Sequence, residues 1–159
     1  MSSLCVIVGI GNPARGDDAA GHEVLARLRG RVGHSTVLLE HDGNMMDLLT
    51  VLQNVRDVTL IDVCVSGAPA GTILRFDAAR PLPAELRTHS THGLGLGAAV
   101  ELARALQVLP PRCIVYLIEG TRFALGERPS QAVQAAIGAL AQALAAQLGA
   151  RCTPERVAS

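Results

Sequence analysis

The sequence predicts an α/β fold: a single three-layer domain with a mostly parallel, twisted sheet and helices on both faces. Three observations predict it. Short, largely apolar runs rich in β-branched residues recur at residues 5–10, 58–65 and 112–119, as strands buried on both faces do. Stretches with apolar residues at helical spacing separate them, so strand and helix alternate along the chain. No repeat or internal linker divides the 159 residues, a length that suits one domain burying roughly two thirds of its unfolded surface.

The elements follow in order. Residues 5–10 are the first strand, and residues 19–29 a helix with Val24, Leu25 and Leu28 on its inner face, ended by Gly30 to Gly33. Residues 35–40 form a second strand, broken by His41, Asp42 and Gly43; Asn44 then caps a helix through Met45, Leu48, Leu49 and Leu52. Residues 58–65 are the third strand and 72–76 a short extra one, and Pro81 and Pro83 mark a loop leading to His89. A glycine-bearing helix at 93–106, a strand at 112–119 and a closing helix at 129–148 complete a domain spanning 1–150, with 151–159 as a tail.

Composition excludes several functions. Lys and Arg number 14, as do Asp and Glu, so net charge offers no case for nucleic acid or an anionic membrane. Cys5, Cys64, Cys113 and Cys152 form no C-x-x-C pair, and three sit in apolar runs where cysteine behaves as a small hydrophobe. That pattern indicates a reducing cytoplasm and no zinc finger. The first apolar run has no basic region before it, against a signal peptide. The Ala-rich closing helix carries Gln134, Gln142 and Gln147 opposite Val133, Ile137, Leu140, Leu144 and Leu148, which describes an amphipathic core helix rather than a membrane span. A monomer is expected.

The chemistry concentrates at the first turn. Gly9, Gly11, Asn12, Pro13 and Gly16 make a loop of little bulk, and Asp17 or Asp18 can cap the following helix. The second acid is then left to face the crevice at the strand's carboxyl end, where open α/β sheets carry their sites. Asp62, inside VTLIDVCV, must find a partner or lose its charge, either on backbone amides or in a site shared with Asp18. His92, in THSTHGLGL, would enter the same rim, with His89 as its competitor. Two carboxylates and one imidazole make an open site for a divalent transition metal. Cys64 is expected on the same side as Asp62 but deeper along the strand, so no thiolate joins the set. Asp42 reads first as a cap of the turn at Gly43, with substrate contact as the alternative.

Two rival readings attach to the same glycines. Gly9-x-Gly11-x-x-Ala14 with Glu40 or Asp42 ending the next strand satisfies a loose dinucleotide fingerprint, although Pro13 and the two acids oppose a pyrophosphate there. The opening G-I-G-N-P also resembles peptidyl-tRNA hydrolases, which follow it with a histidine-asparagine pair where this chain has its acid pair.

Four spaced motifs together are more specific. G-I-G-N-P-A-R-G-D-D-A-A-G-H at 9–22, D-G at 42–43, L-I-D-V at 60–63 followed by G-A-P-A-G-T at 67–72, and H-G-L-G-L at 92–96 resemble the nickel-iron hydrogenase maturation endopeptidases. Members of that family carry Glu or Asp at the position of Asp18 and often Gly at that of Ala19. The resemblance implies an aspartyl-type peptidase that removes a C-terminal peptide from the nickel-loaded large-subunit precursor of a hydrogenase. It assigns nickel contact and catalysis to Asp18, Asp62 and His92. The nickel would arrive with the precursor, whose cysteines complete its shell, and a divalent ion polarises a carbonyl and acidifies bound water. Asp18, Asp62 and a nickel-bound hydroxide all stay open as the group that activates water. A non-catalytic, nickel-dependent checkpoint protein of the same fold and a nucleotide-binding module are the alternatives.

Overall fold

The computed structural model describes residues 4–83 and 95–151. Among these the chain forms β1 (Cys5–Ile10), α1 (Ala20–Leu28), β2 (Thr36–His41), α2 (Met45–Gln53), β3 (Asp57–Cys64), β4 (Ile73–Asp77), α3 (Leu96–Ala105), β5 (Arg112–Glu119) and α4 (Gln131–Arg151). One sheet holds all five strands in the order β2-β1-β3-β5-β4, parallel except for β4, which runs antiparallel to β5. The predicted class and its mostly parallel sheet are those observed. Of the predicted tail, Arg151 ends α4 and the rest lies outside the described residues.

The burial of each strand follows from its place. β1, β3 and β5 are interior strands and almost every residue of them is buried, as their unbroken apolar runs require, whereas β2 and β4 lie at the edges and are half-buried. An ion pair between Arg112 and Asp57 at 2.9 Å starts β5 and β3 in register. Side chains alternate across the sheet. Ile7, Ile61, Val63 and Ile118 pack with α1 and α4 on one face; Val8, Ile10, Leu60 and Cys64 pack with α2 and α3 on the other.

Two helices need comment. α4 is the one helix among the described residues long and apolar enough to cross a membrane, with mean hydropathy 1.3 over Gln131–Gly149. Its Val133, Ile137, Leu140, Leu144 and Leu148 nevertheless form one stripe packed into the core beside α1. α1 lies close against β1 because both contacts are glycine. A Cβ on Gly9 would stand 2.4 Å from the Gly21 carbonyl oxygen, and one on Gly21 would stand 2.6 Å from the Ile10 nitrogen. Gly9 and Gly21 therefore serve close helix-to-strand packing.

Candidate active site

The chain order 2-1-3 in the sheet puts α1 and α2 on opposite faces and opens a crevice at the carboxyl end of β1. Its volume is about 820 Å³. One wall is the first loop, with Gly11, Asn12, Pro13, Arg15 and Asp18; the other is the end of β2 and the face of α2, with Glu40, His41, Asp42, Asp47 and Val51. His22 and Phe123 also line it.

The first loop departs from the expectation. Residues 16–19 form a 3-10 turn, and neither its N-cap Arg15 nor the α1 N-cap Ala19 makes a side-chain cap bond. Neither acid occupies an N-cap position, and distant or preceding backbone amides engage them instead. Asp17 is fully buried and accepts the N–H of Thr121 at 2.8 Å, Arg122 at 2.9 Å and Ser130 at 2.6 Å. Burial alone would raise its carboxyl pKa, but those backbone bonds outweigh it and hold it below the ordinary value. Asp17 is thus a clamp tying the β5–α4 loop, with Phe123, to the first turn.

Asp18 faces the crevice. Its Oδ2 accepts the Asn12 N–H at 3.0 Å, and Asn12 in turn holds the loop by accepting the Ala14 N–H at 2.9 Å. Gly11 has φ +140, and a Cβ there would stand 2.0 Å from the Asp18 carbonyl oxygen, so only glycine lets the loop close onto the acid.

Asp62 is 2% exposed and its Oδ1 accepts the N–H of Val63 at 2.7 Å. Alternation with Leu60 and Cys64 turns it toward the α2 and α3 side, where Leu96, the first residue of α3, also packs. β1 and β3 are paired, with Gly9 opposite Ile61. Asp18 and Asp62 therefore stand at the carboxyl ends of adjacent parallel strands, although Asp62 lies behind the crevice and does not line it. His92 and His89 lie outside the described residues. Among the described residues no three His, Cys, Asp or Glu side chains cluster as a metal site.

Cys64 differs from expectation in depth. It ends β3, nearer the carboxyl edge than Asp62, and is buried with its thiol 3.3 Å from Glu119. Burial, then the bond to Glu119 and the charges of Glu119 and Asp62, push its pKa up to about 12, so it stays a thiol. Glu119 itself is a second clamp. It is 2% exposed and accepts the Ser66 N–H at 2.8 Å, the Ser66 hydroxyl at 2.7 Å and the Gly67 N–H at 3.0 Å. Asn44 caps α2 as predicted, its side chain accepting from Met46 and Asp47, and the exposed Asp42 accepts the Asn44 N–H at 2.9 Å. Cys5, Cys64 and Cys113 are buried thiols, none of them in a disulfide among the described residues.

No protein-family model matches the chain, and no curated protein matches it significantly. Solved structures do. The NiFe hydrogenase maturation protease HycI from Thermococcus kodakarensis KOD1 matches with a TM-score of 0.72 at 25% identity, over 92% of this chain and 93% of that one. An endopeptidase from Escherichia coli matches with a TM-score of 0.76 at 20% identity over 94% and 95% of the two chains. The hydrogenase maturating endopeptidase HybD from E. coli gives 0.70 at 19% identity over 94% of each. The chain has the hydrogenase maturation protease fold. Those structures are named as proteases or endopeptidases, which are hydrolases.

In this hydrogenase maturation protease fold, residues not singled out from the sequence matter beside those that were. Glu119 carries the same signal as Asp62, an acid at the end of a β-branched run, and could have been found by it. Asp17 was weighed only as a cap. His22 stands in the 9–22 motif without a role, and the helix around it gives no local hint of its partner.

Proposed function

We propose that the chain is an endopeptidase that removes a C-terminal peptide from the nickel-loaded large-subunit precursor of a nickel-iron hydrogenase, acting as a monomer in the cytoplasm. The observation that carries this reading is the position of Asp18 and Asp62 at the carboxyl ends of β1 and β3, within the fold shared with proteins named for that activity. Asp18, Asp62 and His92 together would recognise the nickel held by the precursor's cysteines. Carboxylate and imidazole are suitable donors for that ion, and neither is soft enough to strip it from thiolates.

In this reading the nickel belongs to the substrate and supplies charge that polarises the reacting carbonyl. The chain's own residues do the rest. Asp18, which lines the crevice and is held by the Asn12 amide, would accept a proton from water. The crevice walls between the first loop and α2 offer an extended peptide both carboxylates and apolar contact through Leu39 and Val51.

Processing of a precursor loaded with nickel, set beside the same precursor without it, tests the proposal. Shortening of the loaded precursor alone is expected. Binding without cleavage would replace the endopeptidase by a checkpoint protein of the same fold. Chelator applied to the enzyme and then removed should leave processing of loaded precursor unchanged. An enzyme that stayed inactive until metal was restored would carry its own ion.

A further inference from the structure

His22 occupies the third position of α1, and its side chain is 13% exposed. Its Nε2 lies 3.1 Å from the carbonyl oxygen of His41, the last residue of β2. That oxygen also accepts the Gly11 N–H at 3.0 Å, so its two lone pairs are taken by α1 and by the residue that follows β1. Facing a carbonyl, Nε2 must carry a proton and donate. The His41 ring is engaged elsewhere, its Nδ1 accepting the Gly43 N–H at 2.9 Å.

Gly11 is one residue before Asn12, whose N–H holds the Asp18 carboxylate at 3.0 Å. Gly11 is also pressed against the Asp18 carbonyl, so the loop cannot shift there without moving the acid. The contacts thus run from the imidazole of α1 to the His41 carbonyl, from there to the Gly11 N–H, and across the Gly11 Cα to the Asn12 N–H that holds Asp18.

We propose that His22 is a positioning residue for Asp18: by donating to the His41 carbonyl it fixes the Gly11–Asn12 peptide whose amide orients the carboxylate. The inference rests on the endopeptidase reading for its effect on catalysis, and on hydrogen bonds alone for its effect on the loop.

Gln places a side-chain N–H the same number of bonds from Cα as His Nε2 but cannot titrate, which separates donation from acid–base work. His22→Leu should lower kcat for the nickel-loaded precursor by roughly tenfold with KM changed less than about twofold, because ground-state contacts stay while the reacting group is misaligned. His22→Gln should restore most of that loss. Amide exchange at Gly11 and Asn12 should quicken by about tenfold in His22→Leu and return toward wild type in His22→Gln, with the amides of β3 and β5 unaffected. Should His22→Leu fail to fold, His22→Asn, polar but one bond too short, takes its place.

The proposal is overturned if exchange at Gly11 and Asn12 stays at the wild-type rate, or if His22→Gln is as slow as His22→Leu. Faster exchange with unchanged kcat overturns it too. If the wild-type chain itself leaves loaded precursor uncut, the endopeptidase reading falls, and the exchange rates still decide whether His22 sets the loop.

Discussion

Asp17 and Asp18 are adjacent, both are buried, and they belong to the same 3-10 turn, but they face different parts of the molecule. Asp17 accepts three backbone N–H groups from a loop more than a hundred residues away, whereas Asp18 accepts the nearby Asn12 N–H and lines the crevice. The pair Glu119 and Asp62 repeats the contrast on neighbouring strands. Glu119 gathers Ser66, Gly67 and Cys64 from 52 to 55 residues away, and Asp62 accepts the N–H of its own neighbour Val63. The difference teaches that burial of an acid does not reveal its task; what it accepts, and from how far along the chain, does.

The contrast can be broken in several ways. Asp62→Ala and Asp18→Ala should lower processing of loaded precursor by roughly a hundredfold or more while the protein melts within a few degrees of wild type. An active Asp62→Ala would take Asp62 out of the site, and one that unfolds would move it among the clamps. Asp17→Ala should do the reverse. Three backbone N–H groups would lose their acceptor, which costs roughly 2–3 kcal/mol, and the melting temperature should fall by on the order of 10 °C. Calorimetry of the two neighbours side by side decides; equal melting temperatures would dissolve the distinction.

Acid sharpens the same point. Asp17 and Glu119 are both held below their ordinary values of 3.8 and 4.5, since burial is outweighed by hydrogen bonds to the charged form. The unfolded chain therefore takes up those protons first as pH drops. The stability the clamps contribute is present above about pH 4.5 and is lost as pH falls through their lower folded values. Asp17→Asn should flatten that acid limb in pH-dependent unfolding, and an unchanged limb would remove Asp17 from it. The smallest effect concerns the third expected member of the site. His92→Gln should weaken association with nickel-loaded precursor by roughly tenfold, and His89→Gln by less than about twofold. A larger loss at His89 would reverse the assignment.

The layered fold was legible because its signals are local. Unbroken β-branched runs at β1, β3 and β5 mark interior strands, and Asn44 before Met45 marks a helix start. Asp18 and Asp62 were visible as acids where apolar residues or a single cap would suffice. The partners of Asp17 and Glu119 were not, since they lie 104 to 113 and 52 to 55 residues away and leave no pattern in their own neighbourhoods. A 3-10 turn in place of a capped helix start was hidden for a like reason: Asp17 is drawn off by amides from the other end of the chain and Asp18 by the preceding Asn12 amide.

The Asp17 clamp also sets an order of events during synthesis. Its acceptor is made early, yet Ser130 must emerge before the last of its donors exists. The chain leaves the ribosome from its N-terminus, and contacts of such separation close late. A nascent chain arrested before Thr121 should show rapid amide exchange across residues 11–18, whereas one extended through α4 should show protection. The first loop is thus the earliest part of the site to be translated and among the last to become rigid, so only a nearly finished molecule can offer its carboxylates to a substrate.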